Sequence, residues 1–194
     1  MPRTKIILGS SSPRRKDLLR KMGYKIEVRT APCQEDFSPE MDPRKVPEFL
    51  AEKKARAIGP LVSKDELLIT ADTIVLLDGE IIGKPKDKED AVRILSLLSG
   101  KMHEVITGVV LSYKGRVCKT SAVTKVYFRP LSQETIRYYV DAYSPLDKAG
   151  AYGIQEWIGL IAVEKVEGSF YNVMGLPTSL LRHEIEKCLS GVSK

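Results

Sequence analysis

Lys5-Ile6-Ile7-Leu8-Gly9-Ser10-Ser11-Ser12-Pro13-Arg14-Arg15-Lys16-Asp17-Leu18-Leu19 is the stretch that decides the reading of this chain. Lys5–Leu8 is a short apolar run, as a strand requires. Gly9 and three serines make a loop by composition. Ser12 before Pro13 is a helix start, with a hydroxyl to cap the first free N–H groups and a proline whose missing N–H costs nothing there. Leu18, Leu19 and Met22 follow at helical spacing, and Gly23 stops the helix. A strand, a tight loop and a helix in this order open an α/β fold.

The same logic runs outward. Tyr24–Thr30 alternates and predicts a strand, and Ala31–Asp42, with Pro32 and Pro39, predicts a loop. Asp42-Pro43 starts a second helix with Val46, Phe49, Leu50 and Ala57 as its apolar stripe. Leu67–Ala71 predicts a buried strand that ends at Asp72, and Ile74–Leu77, Asp78-Gly79 and Glu80–Ile82 predict a hairpin. Asp87 caps a third helix that Gly100 stops. His103–Tyr113 and Arg116–Phe128 flank Lys114-Gly115 as a long hairpin. Ser132 starts a helix carrying Ile136, Tyr139, Val140 and Tyr143. Ser144–Gly153 predicts a loop, Ile158–Val166 a strand, and Pro177 opens the last helix. Helices alternate with strands and hairpins, so the expected class is α/β with a mixed sheet.

A chain of 194 residues, 43% hydrophobic and 29% charged, is long enough and ordinary enough to bury its own core. No apolar run approaches the roughly 20 residues of a membrane span. The start, Met1-Pro2-Arg3-Thr4-Lys5, leads into too few apolar residues for a signal peptide, which makes the cytoplasm the default location. Cys33, Cys118 and Cys188 are far apart and odd in number, which indicates neither a zinc site nor a disulfide framework. The two histidines, His103 and His183, read as surface or half-buried side chains. A net charge of +6 suits an anionic partner, but the basic residues are dispersed, which counts against nucleic acid.

Five segments could carry chemistry. Arg14 and Arg15 stand in a first helical turn, where positive charge opposes the helix dipole by roughly 0.3–1 kcal/mol each. A bound polyphosphate reverses that sign; an exposed basic turn merely tolerates it. Asp72 is a turn residue, a ligand for Mg²⁺ or an activator of water. Gly83-Lys84-Pro85 presents an ammonium from a fixed loop, without the spacing of a P-loop. In Glu52-Lys53-Lys54-Ala55, Lys53 falls near the middle of the apolar stripe and Lys54 at its edge, from which an ammonium can reach a cleft. In Asp147-Lys148-Ala149-Gly150-Ala151-Tyr152-Gly153-Ile154-Gln155, Tyr152 could stack on a base and Gln155 could hydrogen-bond its edge.

Taken in order, these motifs resemble the Maf family, and Gly168-Ser169-Phe170-Tyr171-Asn172-Val173-Met174-Gly175-Leu176-Pro177 is similar to its C-terminal segment. The resemblance runs over nearly the whole chain. It implies a single catalytic domain, residues 1–194, with a strongly twisted mixed sheet flanked by helices, of the inosine triphosphate pyrophosphatase type, with two lobes around a central cleft. It implies a nucleotide pyrophosphatase that cuts a triphosphate between its α- and β-phosphates with a divalent metal, Mg²⁺ or Mn²⁺.

Position by position, the resemblance implies Asp72 as proton acceptor and Arg14, Arg15, Lys54 and Lys84 as charge-neutralising groups. Ser10 and Ser12 would add hydrogen bonds to the substrate. Glu35 matches an acidic position for metal or water, with Gln34-Glu35-Asp36 aligning loosely around it. Asp72 and Glu35 are then the candidate metal ligands. Arg14, Thr73 and Gln155 resemble the subtype acting on dTTP and UTP; the 7-methyl-GTP subtype typically has Trp for the first Arg and Gln for the Thr. Glu156-Trp157 departs from the pattern, since Gly is common after the Gln, and a larger residue there could narrow or reshape the base pocket. A homodimer is the implied assembly. The competing readings are a modified-nucleotide pyrophosphatase and a non-catalytic nucleotide- or nucleic-acid-binding regulator.

Overall fold

The computed structural model describes residues 4–190. Met1, Pro2 and Arg3, which open the signal-peptide reading, lie outside them. Among the described residues seven strands share one sheet: Ile26–Val28, Ile6–Leu8, Leu67–Leu77, Met102–Tyr113, Arg116–Phe128 and Val163–Glu167 are hydrogen-bonded in that order, and Glu80–Ile82 pairs with Leu67–Leu77. The chain divides into two compact units. Unit 1 comprises residues 1–72, 107–122 and 175–194, and unit 2 comprises residues 73–106 and 123–174.

Unit 1 begins with β1 (Ile6–Leu8), α1 (Pro13–Lys21) and β2 (Ile26–Val28). β1 pairs in parallel with β2 through Ile6↔Ile26 and with β3 (Leu67–Leu77) through Ile6↔Leu67. A strand with parallel neighbours on both sides is buried on both faces, and all of β1 is. Ser12 caps α1, accepting from the Arg15 N–H at 3.4 Å. Asp42 caps a 3-10 turn over Pro43–Lys45, and α2 (Val46–Ile58) starts after it. On α2, Val46, Leu50 and Ile58 are buried, while Phe49 and Ala57 are half-buried. Ile7, Ile58 and Leu68 form a small core over which Ala55 packs. A Cβ on Gly9 would lie 2.6 Å from Thr70 Cγ2 and 2.7 Å from Ile58 Cδ1, so the strand-to-helix loop passes where only glycine fits. The last helix of the unit is α7 (Thr178–Ser190).

Unit 2 holds the larger core, which includes Val75, Ile94, Leu98, Val126, Phe128, Tyr139, Tyr152 and Ile158. β3 turns into β4 (Glu80–Ile82) through Asp78 and Gly79, both at positive φ, as a type I′ turn needs. Lys114 and Gly115, which belong to unit 1, do the same between β5 (Met102–Tyr113) and β6 (Arg116–Phe128). Asp87 caps α3 (Lys88–Leu98) and Ser132 caps α4 (Gln133–Tyr143). α5 (Trp157–Ala162), β7 (Val163–Glu167) and the short α6 (Phe170–Val173) complete it.

Three expectations are corrected. Ile158–Val166 is not one strand: Trp157–Ala162 is helical, and β7 starts at Val163. The run Ile-Gly-Leu-Ile-Ala lacks alternation, and Ile158 and Ala162 are buried one helical turn apart. The strand at Leu67 does not end at Asp72 but runs through it to Leu77, because β-branched Thr73, Ile74 and Val75 continue the extended backbone beyond one polar residue. His103 is neither surface nor half-buried, being 1% exposed. Among the described residues no helix is long and apolar enough to cross a membrane.

Candidate active site

In unit 1, the N-terminus of α1, strand β3 and helix α2 carry their polar side chains to one locality. Ser10 Oγ accepts from the Ser12 N–H at 3.2 Å and from Arg15 Nη1 at 3.2 Å. Arg15 also donates from Nε to the Gly175 carbonyl at 2.8 Å and from Nη1 to the Ala71 carbonyl at 2.9 Å. Its planar fork thus ties α1 to β3 one residue before Asp72, and to the segment leading into α7. Burial pulls the Arg15 guanidinium below its ordinary value, and the nearby Asp72 charge opposes that pull. Arg14, one residue earlier, is half-buried.

Lys54 of α2 is the hub of the carboxylates. Its ammonium bonds Asp72 Oδ1, and it meets Glu35 Oε1 at 2.8 Å. The Lys54 and Asp72 side chains keep only 16% and 12% of their exposure, so this pair is shielded from bulk water, whereas Glu35 is half open at 52%. The neighbours on each side are paired differently. Lys53 donates to the Asp36 carboxylate and to its carbonyl at 3.0 Å, and lies over the Phe49 ring. The structure therefore separates Lys54 with Glu35 from Lys53 with Asp36, and only the first pair reaches Asp72. The Thr70 hydroxyl donates to the Ala51 carbonyl at 2.7 Å, fixing α2 against β3 one turn before Lys54.

Thr73, Lys84 and Gln155 belong to unit 2. There the Gly150 N–H donates to the Gly83 carbonyl at 3.1 Å, joining the Gly83-Lys84-Pro85 segment to the loop that ends in Gln155. Lys84 and Gln155 are exposed, and Thr73 is half-buried. Tyr152 is a correction. It is 5% exposed, its hydroxyl meets His103 Nε2 at 2.7 Å, and its ring packs edge-on against Phe128, so it is a core residue and has no face left for a base. Glu156 is also engaged: it takes the Tyr139 hydroxyl on one oxygen and Lys148 Nζ at 3.1 Å on the other. Sequence reasoning missed the carbonyls of Ala71 and Gly175, because backbone acceptors leave no mark in residue type. It also missed the Tyr139 hydroxyl, whose helical spacing advertises only its ring.

Among the described residues, no group of three or more His, Cys, Asp and Glu side chains converges as a ready metal cage. Asp72 and Glu35 nevertheless turn carboxylate oxygens toward a single cation, the Lys54 ammonium. Two hard oxygen donors of this kind suit Mg²⁺ or Mn²⁺ when phosphate oxygens and water supply the remaining ligands.

Residues 5–188 match the Maf-like protein family. The chain belongs to the Maf family. It is 51% identical over 185 residues to a dTTP/UTP pyrophosphatase of Porphyromonas gingivalis, covering 94% of this chain and 93% of that protein. It is 52% identical over 184 residues to a dTTP/UTP pyrophosphatase of Phocaeicola vulgatus, covering 94% and 95%. Among solved structures, the Staphylococcus aureus Ham1 protein matches 93% of this chain and 100% of its own with a TM-score of 0.52 at 16% identity, which is a likeness of fold. The mixed α/β sheet with its helices is thus shared with that protein, and the Maf membership matches the motif reading.

Proposed function

We propose that this Maf protein hydrolyses dTTP and UTP to the nucleoside monophosphate and pyrophosphate, residues 1–194 acting as one catalytic domain in the cytoplasm. The observation that carries the reading is Lys54, joined to both Asp72 and Glu35, on a chain about half identical to proteins named for this activity.

Asp72 is the proton acceptor. Water attacks the triphosphate, its proton passes to an Asp72 carboxylate oxygen, the α–β bridging P–O bond breaks, and pyrophosphate leaves. Lys54 holds the Asp72 carboxylate in place and adds positive charge beside it. Arg14, Ser10 and Ser12 bind the anion at the helix end, where the dipole of α1 favours negative charge. Arg15 adds its charge while fixing the backbone at Ala71. Asp72 and Glu35 would hold a divalent cation, whose chemistry is to neutralise phosphate charge and acidify bound water. The roles of Lys84 in neutralising charge, and of Thr73 and Gln155 beside Arg14 in choosing the base, are carried by the family motif.

A panel of dTTP, UTP, CTP, ITP and 7-methyl-GTP, followed by released pyrophosphate, tests the proposal. The expected result is dTTP and UTP turned over with kcat/KM at least about tenfold above the others. A preference for 7-methyl-GTP, or triphosphate binding without pyrophosphate release, would overturn it.

A further inference from the structure

We propose that Glu156 is a positioning residue for Gln155, so that the choice of base in this protein depends on a carboxylate acting through the neighbouring amide. The proposal rests on the reading of Gln155 as a base-selecting residue.

Tyr139, Lys148, Gly153, Gln155 and Glu156 all belong to unit 2. The Glu156 N–H donates to the Gly153 carbonyl at 2.9 Å, closing a tight turn around Ile154 and Gln155. The Gly153 N–H donates to the Tyr139 hydroxyl at 3.1 Å, and that hydroxyl donates to Glu156 Oε2. Both backbone groups of Gly153 are therefore tied to Glu156, one directly and one through Tyr139. The other oxygen, Oε1, holds Lys148 Nζ at 3.1 Å, and the same ammonium meets Asp147 Oδ1 at 2.7 Å. The loop from Asp147 to Gln155 is thereby pinned at both ends.

The network is sheltered from solvent. The Glu156 and Lys148 side chains keep 21% and 10% of their exposure, and Tyr139 is fully buried. Burial, and then the bond to Glu156, raise the Tyr139 phenol above its ordinary value, which keeps it a donor. A Cβ on Gly153 would lie 2.7 Å from Glu156 Cδ and 2.9 Å from Gln155 Nε2. The carboxylate and the amide thus close over the same glycine. Ile154, 5% exposed, anchors the middle of the turn in the core and leaves Gln155 at the surface. A turn held this way fixes the direction in which the Gln155 side chain leaves the backbone, and that pre-organisation makes discrimination between bases effective. The sequence suggests that Glu156 narrows or reshapes a pocket; its contacts are those of a carboxylate that braces the adjoining turn.

The test uses Glu156→Ala, Glu156→Gln and Tyr139→Phe in the full chain, with two readouts. Amide exchange at Gly153–Gln155 reports the turn itself. The ratio of kcat/KM for UTP to that for CTP reports the base choice, split into kcat and KM. Glu156→Ala is expected to speed exchange at these amides about tenfold and to lower the ratio about tenfold, mainly through KM for UTP. Tyr139→Phe moves both readouts the same way. Glu156→Gln, which keeps an acceptor for the Tyr139 hydroxyl, recovers most of both. Unchanged exchange in Glu156→Ala and Tyr139→Phe overturns the proposal, as does faster exchange with an unchanged ratio in an enzyme that prefers UTP. An enzyme with no preference, or a Gln155→Ala variant with the original ratio, sinks instead the base-selecting role of Gln155, and the exchange readout still decides whether Glu156 braces the turn.

Discussion

Arg15→Lys separates holding the site from merely charging it. The guanidinium makes three directed bonds, to Gly175 O, Ala71 O and Ser10 Oγ at 2.8, 2.9 and 3.2 Å. A lysine ammonium is one point on a flexible stem and cannot span carbonyls on two segments. Keeping one bond leaves two unmade, at about 1.5–3 kcal/mol for each bond to a charged donor. Water reaching half-buried Ser10 relieves part of the loss, so about 3 kcal/mol is expected. With a denaturant slope of about 2 kcal/mol/M, the urea midpoint falls by about 1.5 M. Because Ala71 precedes Asp72, kcat should fall about 100-fold as the carboxylate loses its placement. Arg14→Lys is the control: stability should move by no more than about 0.5 kcal/mol, with the change appearing in KM. Equal urea midpoints for the two variants, or full kcat in Arg15→Lys, would refute the reasoning.

Two more outcomes follow from the same geometry. Lys54→Met removes the cation shared by Asp72 and Glu35 and should cost about 100-fold in kcat/KM, measured as pyrophosphate release. Lys53→Met, whose partner is Asp36, should stay within about threefold. His103 sets a pH dependence. Burial pushes its imidazole down to about 4 from 6.5, so the folded protein keeps it neutral while the unfolded chain protonates first. Its contribution is full above pH 6.5 and is lost as pH falls toward 4, by about 3 kcal/mol at the extreme. Urea titrations of the native protein and His103→Phe should therefore converge or cross as pH is lowered, and parallel curves would contradict the assignment.

What the sequence made legible was mostly local. Ser12-Pro13, Asp87 and Ser132 cap helices because each satisfies N–H groups three residues away. Asp78-Gly79 and Lys114-Gly115 make turns because the backbone there needs positive φ. Lys54 was placed at the edge of an apolar stripe, and that edge is where it meets Asp72. The misreadings involved partners distant in sequence. Asp72 could sit inside β3 because Lys54, 18 residues away, receives its carboxylate. His103 could be buried because Tyr152, 49 residues on, takes its ring nitrogen, and the same contact withdraws Tyr152 from ligand binding. The helix at Trp157–Ala162 was lost for a different reason: a short apolar run without alternation reads as a buried strand as readily as a helix.

The central claim is that Asp72 accepts the proton in triphosphate hydrolysis. Its most direct test is pyrophosphate release from dTTP and UTP by the native protein and by Asp72→Asn, an isosteric change that keeps a hydrogen-bonding oxygen for Lys54 but removes the base. The native protein should release pyrophosphate, and Asp72→Asn should show at least about a 1,000-fold lower kcat with the urea midpoint close to native. Pyrophosphate release at the native rate from a folded Asp72→Asn protein would contradict it.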